Sequence, residues 1–249
     1  DGIEDHYDLD DDGDGFSDLV EIAYPSDPRD AGSVANLPPD HLWVAGNSNL
    51  SIAENEANGS VLGILSASDP DANSTLSFSL VDGNGSTGNN YFTLEANGTL
   101  RIVSSFNYEE SQSVYSIRVR VSDEHNFSLE DSFLVNLINL NEYPSRPFTS
   151  DALNFIENNL PGAEIVRFES SDQDLNSSLV FDLPEHNGTD FSIDTNGTLH
   201  AVRPFDFETD DSNFSIIIRV TDEGNLSSQS EILIHLLNAV EDLDGDGVE

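Results

Sequence analysis

Residues 92–103 read FTLEANGTLRIV, and residues 191–202 repeat that stretch as FSIDTNGTLHAV. In both copies strand-like runs flank an Asn-Gly pair, which favours a tight β-hairpin because both residues tolerate positive φ. Apolar residues then alternate with other residues over 117–121 and over 216–220, the period of a half-buried strand. Short strands separated by turn residues, with no long helical pattern, predict antiparallel β-sandwiches.

The chain repeats itself once between residues 42 and 241. Residues before the loop at 83–90 match partners 103 positions later, as Glu54 matches Glu157. Residues after that loop match partners 99 positions later, as Asp123 matches Asp222, because the second copy of the loop is shorter. We therefore predict two homologous domains, at residues 42–144 and 148–241.

A different pattern precedes the repeats, where residues 10–21 read DDDGDGFSDLVE. Acidic residues occupy positions one, three, five, nine and twelve of this loop, and glycine occupies position six, which is the ligand order that wraps a calcium ion. A solvated acidic turn is the alternative, since Asp and Gly are common in turns. The predicted ligands are the side chains of Asp10, Asp12, Asp14, Asp18 and Glu21 and the backbone carbonyl of Phe16.

Incomplete copies of this loop occur at both ends of the chain. Upstream, a partial copy lies at a constant offset of 13 residues, with Asp1, Asp5 and Asp8 as its candidate ligands. Downstream, Asp242, Asp244 and Asp246 open a loop that lacks a second half, and residues 246–249 nearly repeat residues 1–4. We expect a parent protein of head-to-tail units of about 245 residues, in which 242–249 begin the next connector. Chance similarity between acidic segments is the alternative.

The first segment resembles the thrombospondin type 3 repeat and its bacterial relatives. The resemblance rests on DLDDDGDGFSD and the trailing SDPRD. It implies that residues 1–36 form a calcium-binding connector with almost no strands, as in bacterial tandem-repeat surface proteins.

The two repeats resemble cadherin domains. The resemblance rests on five motifs in order: SIAENE and NFIENN, ASDPD and SSDQD, FNYE and FDFE, VSDE and VTDE, and the closing NLNEYP and NAVED. It implies an all-β fold of two tandem seven-stranded Greek-key sandwiches, with calcium held where one module meets the next.

The resemblance also implies ligand sets for three joints. Between the modules the set is Glu54, Glu109, Asn139, Asn141, Glu142, Asp172, Asp174 and Asp222. Against the connector it is Asp69, Asp71 and Asp123, and downstream it is Glu157, Asp206, Glu208, Glu241 and Asp242. Asn107 and Asn139 stand where the family usually has Asp, which predicts weaker affinity. For each single acid, an exposed turn carboxylate is the alternative.

Composition limits the class of protein. The formal charge is −40, from 48 acidic and 8 basic residues, and such a surface repels nucleic acid and anionic membranes. Salt adaptation also produces acidic chains, but it does not place the acids at fixed motif positions. There is no cysteine, and no apolar run approaches the roughly 18 residues that span a bilayer. We expect a secreted, extracellular or cell-surface protein.

Asn-X-Ser/Thr sequons are more frequent than composition predicts, eleven against about four. Part of this excess belongs to Asn-Gly turns, and the remainder suggests a glycan coat. The candidate glycosylation sites are Asn49, Asn58, Asn73, Asn84, Asn97, Asn126, Asn176, Asn187, Asn196, Asn213 and Asn225.

No pattern in the sequence indicates an enzyme. The six histidines are scattered, and no nucleophile motif such as G-x-S-x-G occurs. We expect the single tryptophan, Trp43, to pack as a plug between the connector and the first module.

Taken together, these features predict a calcium-stiffened shaft of a surface adhesin or fibre. Six acids that converge on a joint repel one another until divalent cations bind, and several calcium ions would then lock the joint. The predicted partners are further copies of the repeat in tandem, assembled into a filament. Two alternatives stay open: the modules recognise glycans or sister chains, or they are a spacer that displays an enzyme.

Overall fold

The computed structural model describes residues 8–46, 49–185 and 189–239. The chain divides into two compact units, Asp1–Leu140 and Asn141–Glu249. Several candidate residues lie outside the described ranges, so their predicted roles stay predictions: Asp1, Asp5, Asn187, Glu241, Asp242, Asp244 and Asp246.

The first unit contains a short connector helix and a two-layered sandwich. One sheet has the order β1-β3-β6-β5 and the other β2-β8-β7-β4. The elements are α1 (Asp18–Ala23), β1 (His41–Val44), β2 (Leu50–Ala53), β3 (Val61–Ser68), β4 (Ser77–Leu80), the 3-10 helix η1 (Asn89–Tyr91), β5 (Phe92–Leu94), β6 (Thr99–Ile102), β7 (Val114–Ser122) and β8 (Ser128–Ile138).

The second unit repeats the sandwich with sheets in the orders β10-β13-β12 and β11-β14-β15-β9. Its described strands are β9 (Asn154–Ile156), β10 (Glu164–Arg167), β11 (Val180–Asp182), β12 (Phe191–Ile193), β13 (Thr198–Ala201), β14 (Asn213–Thr221) and β15 (Ser227–Leu237).

The predicted all-β class is confirmed, with one refinement in strand number. The second unit has seven strands among its described residues, as expected, whereas the first has eight. The extra strand arises because the first strand of the module is divided into β1, which pairs with β3, and β2, which pairs with β8. In the second unit the counterpart of β1 is reduced to a single bridge between Phe148 and Glu169.

The last strand of each sandwich pairs in parallel with a strand near the start of its module, β8 with β2 and β15 with β9, and the other pairs of named strands are antiparallel. Leu50–Ala53 lies beside Val135–Ile138, and Asn154–Ile156 lies beside His235–Leu237. The chain therefore enters each sandwich at one end and leaves it at the other.

The alternating segments form the core strands, as their period predicts. Ile117, Val119 and Val121 on β7 are fully buried, and the residues between them, Arg118 and Arg120, both form ion pairs with Glu130 on β8. The corresponding strand β14 buries Ile216, Ile218 and Val220 in the same way. Burial of these apolar side chains is the main favourable term that holds the two sheets together.

The two Asn-Gly hairpins are present, but their turn differs from the prediction. Only the glycines, Gly98 and Gly197, take positive φ, at 87° and 92°. Asn97 keeps negative φ, and its side-chain oxygen accepts a hydrogen bond from the Thr99 N–H at 3.0 Å. The asparagine thus stabilises the turn through its side chain rather than through its backbone conformation.

The expectation for Trp43 is wrong. Trp43 lies on the edge strand β1 with 36% of its surface exposed, and its ring stacks on His41 at a centroid distance of 5.0 Å. The alternation of β1 explains the difference, because Leu42 faces the core and its neighbours therefore face solvent.

Candidate metal centres

The connector loop gathers three of its predicted ligands. Asp10, Asp12 and Asp14 each place a carboxylate oxygen within 4.8 Å of the other two. Gly13 and Gly15 have φ of 74° and 104°, which lets the backbone turn tightly between these side chains. The spacing of the acids therefore produces a compact group of hard oxygen ligands, the type that calcium prefers.

Glu21, the predicted twelfth-position ligand, is fully buried on α1. One of its oxygens accepts a hydrogen bond from the Ser26 hydroxyl at 3.1 Å, and the other has no hydrogen-bond partner among the described residues. One buried oxygen each of Asp12 and Asp14 is also without such a partner. Buried, unpaired carboxylates are costly unless a cation neutralises them.

The electrostatics of the loop agree with this arrangement. Burial is the largest cause that raises the pKa of both Asp12 and Glu21. Repulsion from Asp14 and Asp10 raises the pKa of Asp12 further, and repulsion from Asp12 and Asp14 does the same for Glu21. Each of these carboxylates, when ionised, therefore disfavours the ionised form of its neighbours in the loop.

Asp18 and Asp8 have other contacts in the structure. The Asp18 carboxylate accepts the Asp11 N–H at 2.9 Å and so closes the loop, while Asp8 accepts the Leu9 N–H at 2.8 Å. Sequence reasoning missed Asp11, whose carboxylate forms an ion pair with Arg29 of the trailing SDPRD segment at 3.4 Å. Phe16 lines a groove with Asn36 and Asp71, beside the loop.

A second group of carboxylates lies where the chain enters the first sandwich. We call Asp69, Asp71 and Asp123 the first entry cluster. The Asp71 N–H donates to Asp69 at 2.9 Å, and the second oxygen of Asp69 is buried with no hydrogen-bond partner among the described residues. The connector contacts this cluster: the Leu37 N–H donates to Asp71 at 2.7 Å, and the Asn36 side-chain amide donates to Asp123 at 2.8 Å.

Asp71 is the electrostatically strained member of this cluster. Burial raises its pKa most, and the charges of Asp69, Asp123 and Glu124 add to the rise, while the Leu37 N–H opposes it. Glu124 has the opposite shift, because the Thr75 N–H lowers its pKa. This hydrogen bond from Thr75 to Glu124 links the loop that contains Asp69 and Asp71 to the loop that contains Asp123.

The second entry cluster repeats this geometry. It consists of Asp172, Asp174 and Asp222, and the Asp174 N–H donates to Asp172 at 3.0 Å. The Glu142 N–H donates to Asp174 and the Asn141 side-chain amide donates to Asp222, both at 3.0 Å. Five residues of the predicted joint set are therefore linked by hydrogen bonds. Glu142 binds Asp174, Asp174 binds Asp172, and Asn141 binds Asp222.

Gly224 provides the room that Asn141 needs. A Cβ atom at Gly224 would lie 2.3 Å from the Asn141 side-chain oxygen, closer than atoms can approach. Sequence reasoning missed this glycine and also Asn36, the counterpart of Asn141. A signal existed for Asn36, because both asparagines are followed three positions later by proline, at Pro39 and Pro144.

The opposite end of the first sandwich is organised by Glu54. Its side chain is 1% exposed and accepts two backbone N–H groups, from Tyr108 and Leu140, each at 2.8 Å. It therefore fixes the end of β2 to the FNYE segment and to Leu140, two residues after the end of β8. In that segment, Asn107 accepts the Glu109 N–H at 2.9 Å, so this asparagine has a local structural role.

Glu157 is the counterpart of Glu54 in the second unit, where it accepts the Phe207 and Ala239 N–H groups at 2.7 Å. Glu157, Asp206 and Glu208 each place an oxygen within 4.8 Å of the other two, and we call them the exit cluster. Burial raises the pKa of Glu208, and the charges of Glu157 and Asp206 contribute.

Asn238 joins the exit cluster, with its side-chain amide donating to Glu208 at 2.8 Å. Sequence reasoning did not include it, although the 99-residue offset pairs it with the candidate Asn139. Asn139 itself lies directly after β8.

The candidate glycosylation sites divide by their local structure. Four of them, Asn73, Asn126, Asn176 and Asn225, take positive φ, which Asn adopts more readily than most residues. Asn58 accepts the Ser105 N–H at 2.8 Å and so has a further structural role. The backbone thus explains much of the sequon excess, and glycan attachment stays a prediction.

Sandwiches with paired first and last strands and carboxylate clusters at their ends define a tandem-repeat β-sandwich class. A cadherin domain model matches residues 48–138 and 153–237, which is most of the chain. The chain therefore belongs to the cadherin family, whose domains are adhesion modules. None of the described helices is long and apolar enough to span a bilayer.

Several of the similar proteins are protocadherins. The chain is 30% identical to mouse protocadherin Fat 4 over 201 residues, which cover 76% of this chain and 4% of Fat 4. It is 29% identical to human protocadherin gamma-C4 over 208 residues, covering 74% of this chain and 21% of that protein. The chain thus spans only a small part of these relatives.

Solved structures share the fold. The crystal structure of human protocadherin-24 EC1-2, form II, superposes with a TM-score of 0.62 at 17% identity, covering 82% of this chain and all of that one. A structure of protocadherin gammaB3 EC1-4 gives a TM-score of 0.59 at 22% identity, covering 84% of this chain and 52% of that one.

Proposed function

We propose that this protein is an extracellular, non-catalytic adhesion module whose joints are stiffened by calcium. In this proposal the units form the shaft of a surface adhesin or fibre and join further copies head to tail. The observation that carries it is the repeated entry cluster, in which one buried and one partly buried carboxylate hold the segment that precedes each sandwich.

Charge repulsion between carboxylates makes the joints sensitive to cations. Domains joined by a few residues move freely by default. The carboxylates of the entry clusters and the exit cluster repel one another, and divalent cations would convert that repulsion into bridging. Extracellular calcium modules bind at roughly 10⁻⁴ to 10⁻³ M, so the shaft would be stiff outside a cell and flexible inside it.

The connector is proposed to add a further calcium site of the thrombospondin type 3 kind. The convergent oxygens of Asp10, Asp12 and Asp14 and the buried Glu21 support this assignment. A bacterial surface origin and a filament assembly belong to the same proposal, and both rest on the sequence resemblance of the connector.

Small-angle X-ray scattering of the full chain tests the stiffening. We expect its maximum dimension and flexibility to differ between about 2 mM calcium and a chelator. The Asp172→Asn/Asp174→Asn variant should lose this difference, because two carboxylates of the second entry cluster are neutralised. Asp151→Asn, an exposed carboxylate outside the clusters, is the charge control.

Gly224→Ala offers a second variant that leaves all charges in place. Its new methyl group would displace Asn141 from Asp222, so the calcium response should weaken without any loss of carboxylates. A wild-type scattering profile that is identical with and without calcium would contradict the proposed function. Intact-mass measurement of protein secreted from a glycosylating host tests the glycan prediction separately.

A further inference from the structure

The connector is attached to the first sandwich as an inter-domain linker would be. Asn36 and Leu37 donate to the first entry cluster through one side-chain amide and one backbone N–H, at 2.8 and 2.7 Å. Asn141 and Glu142 donate to the second entry cluster through the same two kinds of group, both at 3.0 Å. Ala35, directly before Asn36, is 1% exposed, so this part of the connector is packed against the rest of the unit.

A second contact joins the loop helix to the same end of the sandwich. Tyr24 follows α1 directly, and its ring meets the Phe127 ring edge-on at a centroid distance of 5.6 Å. The Phe127 N–H donates to the Asp123 carboxylate at 2.9 Å. Tyr24 therefore touches the residue that orients one member of the first entry cluster.

The helix that precedes these contacts depends on the loop. α1 has only six residues, Asp18–Ala23, and isolated helices of that length do not persist in water. Its one fully buried side chain is Glu21, the predicted twelfth-position ligand of the loop, and one oxygen of Glu21 has no hydrogen-bond partner among the described residues. Repulsion from Asp12 and Asp14 acts on this carboxylate. A cation held by these three carboxylates would fix α1, and with it Tyr24.

We propose that cation binding in the loop at residues 10–21 and cation binding at Asp69, Asp71 and Asp123 are coupled through α1 and Tyr24. The inference rests on the proposed function, because it takes both groups of carboxylates to bind calcium. Filling the loop orders α1, places Tyr24 against Phe127, and seats Asn36 and Leu37 on the first entry cluster. Linkage requires the reverse effect as well, so occupation of the entry cluster tightens the loop.

Hydrogen exchange of the full chain, followed by mass spectrometry across a calcium titration, resolves the sites separately. Protection of residues 16–24 reports the loop, and protection of residues 123–127 reports the first entry cluster. Residues 222–226 report the second entry cluster, which has no connector loop in front of it and serves as the internal reference.

Asp12→Asn/Asp14→Asn should raise the calcium midpoint for residues 123–127 at least about five-fold, the lower end of typical coupling. The midpoint for residues 222–226 should not move. Tyr24→Ala should also raise the midpoint for residues 123–127, because it removes the contact but no proposed ligand. Leu19→Ala is the matched control on the same helix: Leu19 is 75% exposed, and the variant should leave every midpoint unchanged.

The outcomes separate the coupling from the proposed function. Equal midpoints for residues 123–127 in the wild type and both test variants would overturn the coupling while leaving calcium at both entry clusters. Calcium that protects the loop but neither entry cluster would overturn both. Unchanged slow exchange in β7 and β8 confirms that each variant is folded.

Discussion

Glu54 and Glu157 are candidate metal ligands that also have a defined role in the fold. Each is almost fully buried and accepts two backbone N–H groups from two different segments later in the chain. The predicted calcium-binding motif is therefore also a structural clamp. The motif position was predictable from the repeat, whereas the two amide partners of each residue were not, because they come from residues about 50 and 80 positions away.

The clamp predicts a loss of stability that does not require calcium. Glu157→Gln replaces one acceptor oxygen with an amide donor that opposes an N–H group, so the second unit should lose about 2–4 kcal/mol of unfolding free energy. Urea unfolding in chelator measures this. Asp206→Asn, whose side chain is not part of the clamp, is the control, and equal stability of Glu157→Gln and wild type in chelator would show that the clamp is unimportant.

Arg203 supports a prediction about pH. It donates to Asp190 at 2.7 Å and to both oxygens of Asp210 at 2.9 Å, and it lies over the Phe205 ring at 4.1 Å. Arg203 lowers the pKa of Asp210 below its ordinary 3.8. A lowered pKa contributes stability above the unfolded value, and that contribution is lost as pH falls through the folded value.

Asp210→Asn should therefore be less stable than wild type by a constant amount at neutral pH, and the difference should shrink below pH 3.8. Urea unfolding between neutral pH and about pH 3 in calcium-free buffer measures it. Asp211→Asn removes a neighbouring exposed carboxylate and should show no such trend. A difference that stays constant or grows in acid would contradict the assignment.

At the scale of elements, the hairpin β5–β6 depends on one glycine. Gly98 has φ of 87°, and a Cβ atom there would lie 2.2 Å from the Leu65 carbonyl oxygen of β3. The Leu65 N–H in turn donates to the Gly98 carbonyl at 2.8 Å, so the turn is seated against the neighbouring strand. Gly197 repeats this against Phe168.

Gly98→Ala should destabilise the first unit by about 3 kcal/mol or more, because it combines backbone strain with a clash against backbone atoms. Gly59→Ala isolates the strain: Gly59 has φ of 81° but nothing within 4 Å of an added Cβ, so about 1 kcal/mol is expected. Thermal or urea unfolding compares the two. Equal losses would show that close approach to β3 contributes nothing.

The strands and turns also show which features of the fold could be predicted from the sequence and which could not. Alternation predicted β7 and β14, because period-two burial is a local property. It did not predict that the module's first strand divides between two sheets, or that only glycine takes positive φ in the Asn-Gly turns. Both depend on how a segment packs against strands distant in sequence. Likewise, the connector's contact through Asn36 has no local signature beyond the later proline.

At the scale of the whole molecule, the charge of −40 predicts a specific response to cations. About 1 mM calcium should raise the thermal midpoint more than about 0.15 M NaCl does, because coordination stabilises the folded state whereas salt only screens. Magnesium at the same concentration is the control and should have a smaller effect, since it needs stricter octahedral geometry. Equal effects of NaCl and calcium would favour salt adaptation instead.

The parallel pairing of the first and last strands has a mechanical consequence. Tension along the chain pulls on the start of β2 and the end of β8, or on the start of β9 and the end of β15. Because these pairs are parallel, the two strands of each pair are pulled in opposite directions along their length. Every hydrogen bond of that ladder then resists together, instead of breaking one after another as when a hairpin is peeled open. A module with this strand pairing is suited to carrying tension.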